Sequence, residues 1–260
     1  MGGGKKMFFR NTLESYISLV KEKRLEIAAC ILVYLMGSFF YLHQGLELYM
    51  GLHICAADCY VMAGMVGRRI MVGIPIFLVI TLLQARNSRN IQSVLRMGTR
   101  INIWWKQCLE NVFRAVIMTF LETVIVGAYG LLMTPCLLNW NEMGSVFWNA
   151  TQHTVSNVHF GQIVLGFGAV TVLIYLFTRM LFSFVEWVLG NYLAGICICL
   201  MLAFAENFST LSILYDRTTI FYSQWLSEQV WEDCVWTFII IIILAIGGER
   251  FAKKKEFYGT

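Results

Sequence analysis

Residues 161–205 read GQIVLGFGAVTVLIYLFTRMLFSFVEWVLGNYLAGICICLMLAFA. About 20 mostly apolar residues carry a helix across the hydrocarbon core of a bilayer, so this stretch holds two crossings, read here as 161–182 and 184–205. The apolar residues run on without alternating. That marks helices, because the strands of an outer-membrane barrel alternate between lipid-facing and lumen-facing positions over about ten residues. Working outward, the same reading gives spans at 111–133 and 234–248, and nearer the N-terminus at 25–43 and 70–85. The spans at 70–85 and 234–248 are short and need flanking residues or snorkelling side chains to complete them. The expected fold class is all-α, a polytopic membrane protein with six transmembrane helices.

Composition points the same way. Of the 260 residues 58% are hydrophobic and 14% charged, against about 25% charged in a soluble domain, and the mean hydropathy is +0.65. No stretch is polar enough for a large soluble catalytic domain. All but three of the 20 lysines and arginines fall on one side of the six spans. They lie before the first (Lys5, Lys6, Arg10, Lys21, Lys23, Arg24), between the second and third (Arg86, Arg89, Arg96, Arg100, Lys106, Arg114), at the end of the fourth (Arg179) and after the last (Arg250, Lys253, Lys254, Lys255). Arg68, Arg69 and Arg217 fall on the other side. The positive-inside rule then places both termini in the cytoplasm of a multi-pass cell-membrane protein. The net charge of +4 reflects that topology and does not point to nucleic acid. The first span is too long for the apolar core of a cleaved signal and lacks a small-x-small site after it.

Two segments on the cytoplasmic side are amphipathic. In 5–24, Phe9, Leu13, Tyr16, Ile17 and Val20 share one helix face, and Asn11 with Glu14 resembles a capping box. With lysines on its flanks, this reads as a helix lying in the membrane interface. In 86–100, Ile91, Val94 and Leu95 form a short apolar face edged by Arg89 and Arg96. A plain linker has no use for such a face. Trp104 and Trp105 follow and mark the membrane–water boundary. On the opposite side, 206–233 carries Phe221, Tyr222, Trp225, Leu226 and Val230 at helix-like spacing, and reads as short helices dipping into the outer leaflet, covered by protein where the backbone is irregular.

Few residues point to chemistry. The chain has no G-x-x-x-x-G-K-[ST] loop, no H-E-x-x-H and no G-x-S-x-G. His53, Cys55, Asp58 and Cys59 carry zinc-binding atom types, but at a spacing that matches no strong pattern. No catalytic residue and no metal site is assigned. Cys55 and Cys59 fit a disulfide and an ordinary i, i+4 helical pair equally. Glu122 stands out, because a carboxylate mid-span costs several kcal/mol unless paired or wet. It is expected to face the bundle interior, with Asn191 as partner by depth, and either serves a translocation pathway or ties helices together. Gly190 and Ala194 make a small-x-x-x-small pair that allows close helix approach. Arg68 and Arg69 open the second span. They fit lipid phosphates, pairing with Glu47 or Asp58, or a partly embedded 59–67 with both arginines lining a wet interior.

The amphipathic 5–24, the run IPIFLVI (74–80) leading into LLQARNSRNIQSVLRMGTRINIWWKQ, the placement of 206–233 and the lack of an ATPase motif together resemble the six-span permease subunits of type 2 ABC transporters that export peptides from bacteria. The short first outer loop with its cysteines and paired arginines departs from that pattern. The resemblance implies one permease domain over 1–260, with 5–24 as interfacial helix, 86–100 as cytoplasmic coupling helix and 206–233 as outer helical segment. It implies a bacterial plasma-membrane exporter of a hydrophobic or amphipathic substrate, a peptide foremost. Arg89, Ile91, Val94, Leu95 and Arg96 would dock on a nucleotide-binding ATPase subunit. That subunit, and not this chain, would bind ATP and Mg and carry the enzymatic activity. A second permease chain would complete a homodimer. A different class, a proton-coupled secondary transporter of a small solute, would use Glu122 as its proton site, and a membrane-embedded enzyme would draw on His43, His53 or Glu122.

Overall fold

The structure is a computed structural model, and it describes residues 23–88, 99–208, 218–219, 221–224 and 230–257. Most of the expected interfacial helix 5–24 and all five docking residues, Arg89, Ile91, Val94, Leu95 and Arg96, lie outside the described residues. Among the described residues every regular element is helical: α1 (Arg24–Leu48), α2 (Ala56–Gly64), α3 (Ile74–Ser88), α4 (Arg100–Met133), α5 (Val146–Thr151), α6 (Phe160–Leu189), α7 (Tyr192–Phe208) and α8 (Val230–Phe257). A single bridge, His53 to Ser145, is the one extended pairing among them.

Four helical stretches are long and apolar enough to cross a membrane: Arg24–Leu48, Arg100–Met133, Phe160–Leu189 and Cys234–Lys254. A fifth crossing results if Ala56–Gly64 and Arg69–Leu83, bent by 68° to one another, count as one span, while Tyr192–Phe208 is apolar but shorter. Among the described residues four stretches, or five with the bent pair, meet that test, and the expected sixth, Tyr192–Phe208, falls short of it in length.

The second span departs most from expectation. The helical chain starts at Ala56, not near residue 70, and breaks at Met65, whose extended backbone (φ −64°, ψ 141°) ends α2. A short helical turn, Val66–Arg68, and a π-helical turn, Arg69–Gly73, then lead into α3. The π-turn is closed by the i→i+5 bond from the Ile74 N–H to the Arg69 carbonyl, a widening of the helix that recurs at functional positions.

The boundary expected near residue 183 is also displaced. Nothing in LFSFVEWVL breaks a helix, so α6 continues to Leu189. Gly190 then adopts φ +68° and donates its N–H to the Glu186 carbonyl at 2.8 Å, the left-handed cap that glycine tolerates best. Asn191 follows as a helix cap, its side chain accepting from the Leu193 N–H at 2.9 Å. Gly190 thus ends a helix and is not half of a helix-packing pair. Close approach occurs at Gly195, where a β-carbon would stand 3.0 Å from the Phe182 ring.

The bundle has two distinct ends. At one, the loops 49–55 and 134–159 are stitched by His53 N–H to Gly144 O (3.0 Å), Ala56 N–H to Cys136 O (2.9 Å) and Val155 N–H to Trp140 O (3.0 Å). At the other, α4 begins, α6 turns into α7 and α8 runs out into Lys253 and Lys254. Trp104 closes this end. It was expected at a membrane–water boundary, but its side chain is wholly buried, while Trp105 is half exposed. The Trp104 indole N–H donates to the Ala245 carbonyl at 2.9 Å, and the ring packs edge-on against Trp187 at 5.7 Å. It also lies against Gly248, where a β-carbon would overlap the ring. At the heart of the bundle is α6, packed on α4, α7 and α8. Half of its most apolar window is buried, against 17% for α1 at the rim.

Candidate functional site

Breaking a helix frees backbone carbonyls that water or a side chain must satisfy. At the bend after α2 the side chain is that of Arg68, which donates from Nη1 to the Ala63 carbonyl at 3.1 Å. The same Nη1 meets Glu122 Oε1 in an ion pair. Nη2 donates to Tyr34 Oη at 3.1 Å and Ser38 Oγ at 3.0 Å. The second carboxylate oxygen of Glu122 accepts from the Tyr175 hydroxyl at 2.6 Å. Arg68 is 1% exposed and Glu122 has no exposed surface. One node thus ties α1, the bend, α4 and α6 together.

Glu122 faces the interior, but its partners are Arg68 and Tyr175. Asn191, with its side chain spent on capping α7 and its surface exposed, does not belong to this node. Arg68 pairs with neither Glu47 nor Asp58. Of the alternatives drawn from the sequence, the embedded one describes these residues best: all nine residues of α2 are buried, as are both arginines. Burying a guanidinium and a carboxylate among apolar helices is costly unless each is paired and hydrogen-bonded, and here four helical elements supply partners to both.

Arg69 points elsewhere. Its Nη1 donates to the Thr218 carbonyl at 2.9 Å and its Nη2 to Thr171 Oγ1 at 3.4 Å. Adjacent arginines therefore reach two different parts of the fold, Arg68 the α1–α4–α6 interior and Arg69 the stretch of chain ahead of α8.

A third polar group lies where α4 and α6 cross nearer the basic end. Arg179 does not end a span at the cytoplasmic edge. It sits ten residues before the end of α6, 2% exposed, with Nε donating to Asn111 Oδ1 at 3.0 Å and its guanidinium over the Phe182 ring. Asn111 in turn donates to Ser183 Oγ at 2.9 Å, and Gln107 bridges Ser183 and the Trp187 indole.

At the loop end, Asp58 closes the first turn of α2. One carboxylate oxygen accepts from the Cys55 N–H (2.9 Å) and the Cys55 thiol (3.3 Å). The other accepts from the Trp140 indole (2.9 Å) and the Tyr222 hydroxyl (3.2 Å). Burial, with the Asp58 charge beside it, pushes the Tyr222 phenol well above its usual pKa. Asp58 is thus a structural cap. His53 is exposed and lies 3.6 Å from Glu142, all eight cysteines are free thiols, and among the described residues no group of His, Cys, Asp and Glu is placed to hold a metal. His43 sits exposed near the end of α1 beside Glu47, with the Tyr129 hydroxyl 3.5 Å from its Nδ1.

The sequence reading missed Tyr34, Ser38 and Tyr175. Each is a hydroxyl on the buried face of an apolar helix, the kind of group that must find a partner when removed from water, and that was the available signal. No protein-family model matches the chain, and no curated protein or solved structure does.

Proposed function

We propose that the chain is the membrane-spanning permease subunit of an ATP-driven exporter of the type 2 ABC kind. It works with a separate nucleotide-binding subunit and a second permease chain, and moves a hydrophobic or amphipathic substrate, a peptide foremost, out of a bacterial cell. Both termini and residues 89–98 lie in the cytoplasm in this reading. The observation that carries it is the order of elements at the basic end. The arginine-rich connection 89–98 joins α3, which descends from a bent span, to α4, which begins at Arg100 with Thr99 capping its first turn and continues for 34 residues. A push on that connection would be delivered to the ends of α3 and α4, which both run on into the bundle. ATP-driven closure of the partner would press on Ile91, Val94 and Leu95, and α3 would carry that displacement toward the bend and the Arg68–Glu122 node.

The reading is tested by copurification and by uncoupling. A nucleotide-binding subunit should accompany the chain at one per permease, and amphipathic helical peptides should stimulate its ATPase. Replacing Ile91 and Leu95 by Asp should abolish that stimulation while the chain remains folded. Stimulation by lipids alone would redirect the substrate, and unchanged coupling in the double variant would sink the docking role. The proton-coupled alternative draws on the mid-helix position of Glu122. Both oxygens of that carboxylate hold partners, Arg68 and Tyr175. Uptake driven by a pH gradient in liposomes holding only this chain would favour it.

A further inference from the structure

We propose that the crossing of α4 and α6 near the basic end is an anion site, where a phosphate group binds between the guanidiniums of Arg179 and Arg114. Two buried donors there lack an acceptor among the described residues, Arg179 Nη1 and Arg114 Nε. Arg179 is 2% exposed, and its side chain has Asn111 Oδ1 at 3.0 Å from Nε and the Phe182 ring against its guanidinium. Neither contact neutralises its charge. A guanidinium taken out of water is costly unless it is paired as well as hydrogen-bonded. Arg68, buried in the same bundle, meets that demand with Glu122. Arg179 forms no ion pair among the described residues.

Arg114 stands one turn along α4 from Asn111, with its side chain 12% exposed. It reaches back along the helix and donates from Nη2 to Glu110 Oε2 at 3.2 Å, so both arginines come to the same turn of α4. Arg114 bears on Arg179 as a like charge. Glu186 and Glu110 bear on it as opposite charges without pairing with it, and Glu110 is already shared by Arg114 and Lys106. The local balance is therefore positive, with Lys106, Arg114 and Arg179 set against Glu110 and Glu186. An anion between the two guanidiniums would supply the missing charge and accept from both orphaned N–H groups. Guanidinium presents its donors in a fixed fork that matches the oxygens of phosphate, and basic pockets between membrane helices take lipid head groups. The head group of an anionic phospholipid and free inorganic phosphate offer the same oxygens. Arg114, partly exposed, is met first, and Arg179 receives the anion inside. The site stands whether or not the chain exports a peptide.

The test uses the purified full chain in phosphatidylcholine nanodiscs, without partner or nucleotide. In one series inorganic phosphate is titrated at constant ionic strength against chloride, and the thermal unfolding midpoint is read. In the other, phosphatidylglycerol replaces part of the phosphatidylcholine, and native mass spectrometry counts the phosphatidylglycerol that the chain retains. One of the two probes should bind and raise the midpoint, and the series that responds identifies the source of the phosphate. Arg114→Gln should weaken that binding by about tenfold, the scale of one hydrogen bond to a charged group, and Arg179→Gln should abolish it. Lys254→Gln, at an exposed position on the same end, should leave it unchanged. Failure of both probes to bind, binding that Arg114→Gln leaves intact, or an equal loss in Lys254→Gln would overturn the site.

Discussion

Arg68 and Glu122, 54 positions apart in the chain, form a fully buried ion pair that closes on the very bend Arg68 itself stabilises. Removing one partner strands the other charge among apolar helices, a loss of about 3–5 kcal/mol. Glu122→Leu should therefore lower the unfolding midpoint sharply, whereas Arg68→Met combined with Glu122→Leu should recover part of the loss. Thermal unfolding in detergent across the four-member cycle measures the coupling, and strictly additive effects would show that the two groups do not depend on each other.

Tyr175→Phe takes away one donor to Glu122 and leaves the ion pair standing. The expected cost is about 1–3 kcal/mol, that of a buried acceptor losing a partner. In the same assay this variant should rank clearly milder than Glu122→Leu. A loss as large as that of Glu122→Leu would show that the hydroxyl matters as much as the ion pair, because Phe keeps the ring beside Phe77 at 4.7 Å.

Gly248→Ala should destabilise by about 1–3 kcal/mol through overpacking, because the added carbon would overlap the Trp104 indole. Trp104→Phe shrinks the ring and gives up the bond to the Ala245 carbonyl. Joined to Gly248→Ala, it should partly rescue the overlap. Two losses that simply add in the unfolding midpoint would contradict the contact.

Tyr222 supplies a pH dependence. Its phenol is held well above the ordinary value by burial and by the Asp58 charge, so the attached state favours the neutral hydroxyl. Attachment is fully present below the pKa of a free tyrosine, about 10, and weakens as the pH rises beyond it, where the detached state releases its proton first. Subtracting the phenolate absorbance titration of Tyr222→Phe from that of the native chain should leave a curve centred above about 10. A curve centred at the free-tyrosine value would mean an exposed phenol.

Much of the helical content was legible because it follows from apolar run length alone. The inward side of Glu122 was legible too, since a carboxylate in TFLETVIVG must be sheltered or paired. Its partner was not. Arg68 reaches it only because the chain breaks at Met65, and an extended residue flanked by ordinary apolar ones leaves no mark in composition or periodicity. Trp104 and Trp105 show the limit from another side. Side by side in sequence, one is core and the other half exposed, and the choice rests on a glycine on α8 more than 140 residues away. Gly190-Asn191 was readable as a helix stop followed by a start, but hydropathy averaged over a window hides a two-residue break between equally apolar segments.

That break leaves two partners of unequal reach. At 1.5 Å per residue α6 is about 45 Å long and the described residues of α7, folded back along it, about 26 Å, less than the roughly 30 Å of a typical hydrocarbon core. Lipid on the flank of α7 then meets a shallower apolar wall than lipid beside α6. In a bilayer the leaflet would thin there or flanking side chains would snorkel, so acyl-chain length becomes a handle on this side of the bundle, with longer tails straining it and shorter ones fitting it level.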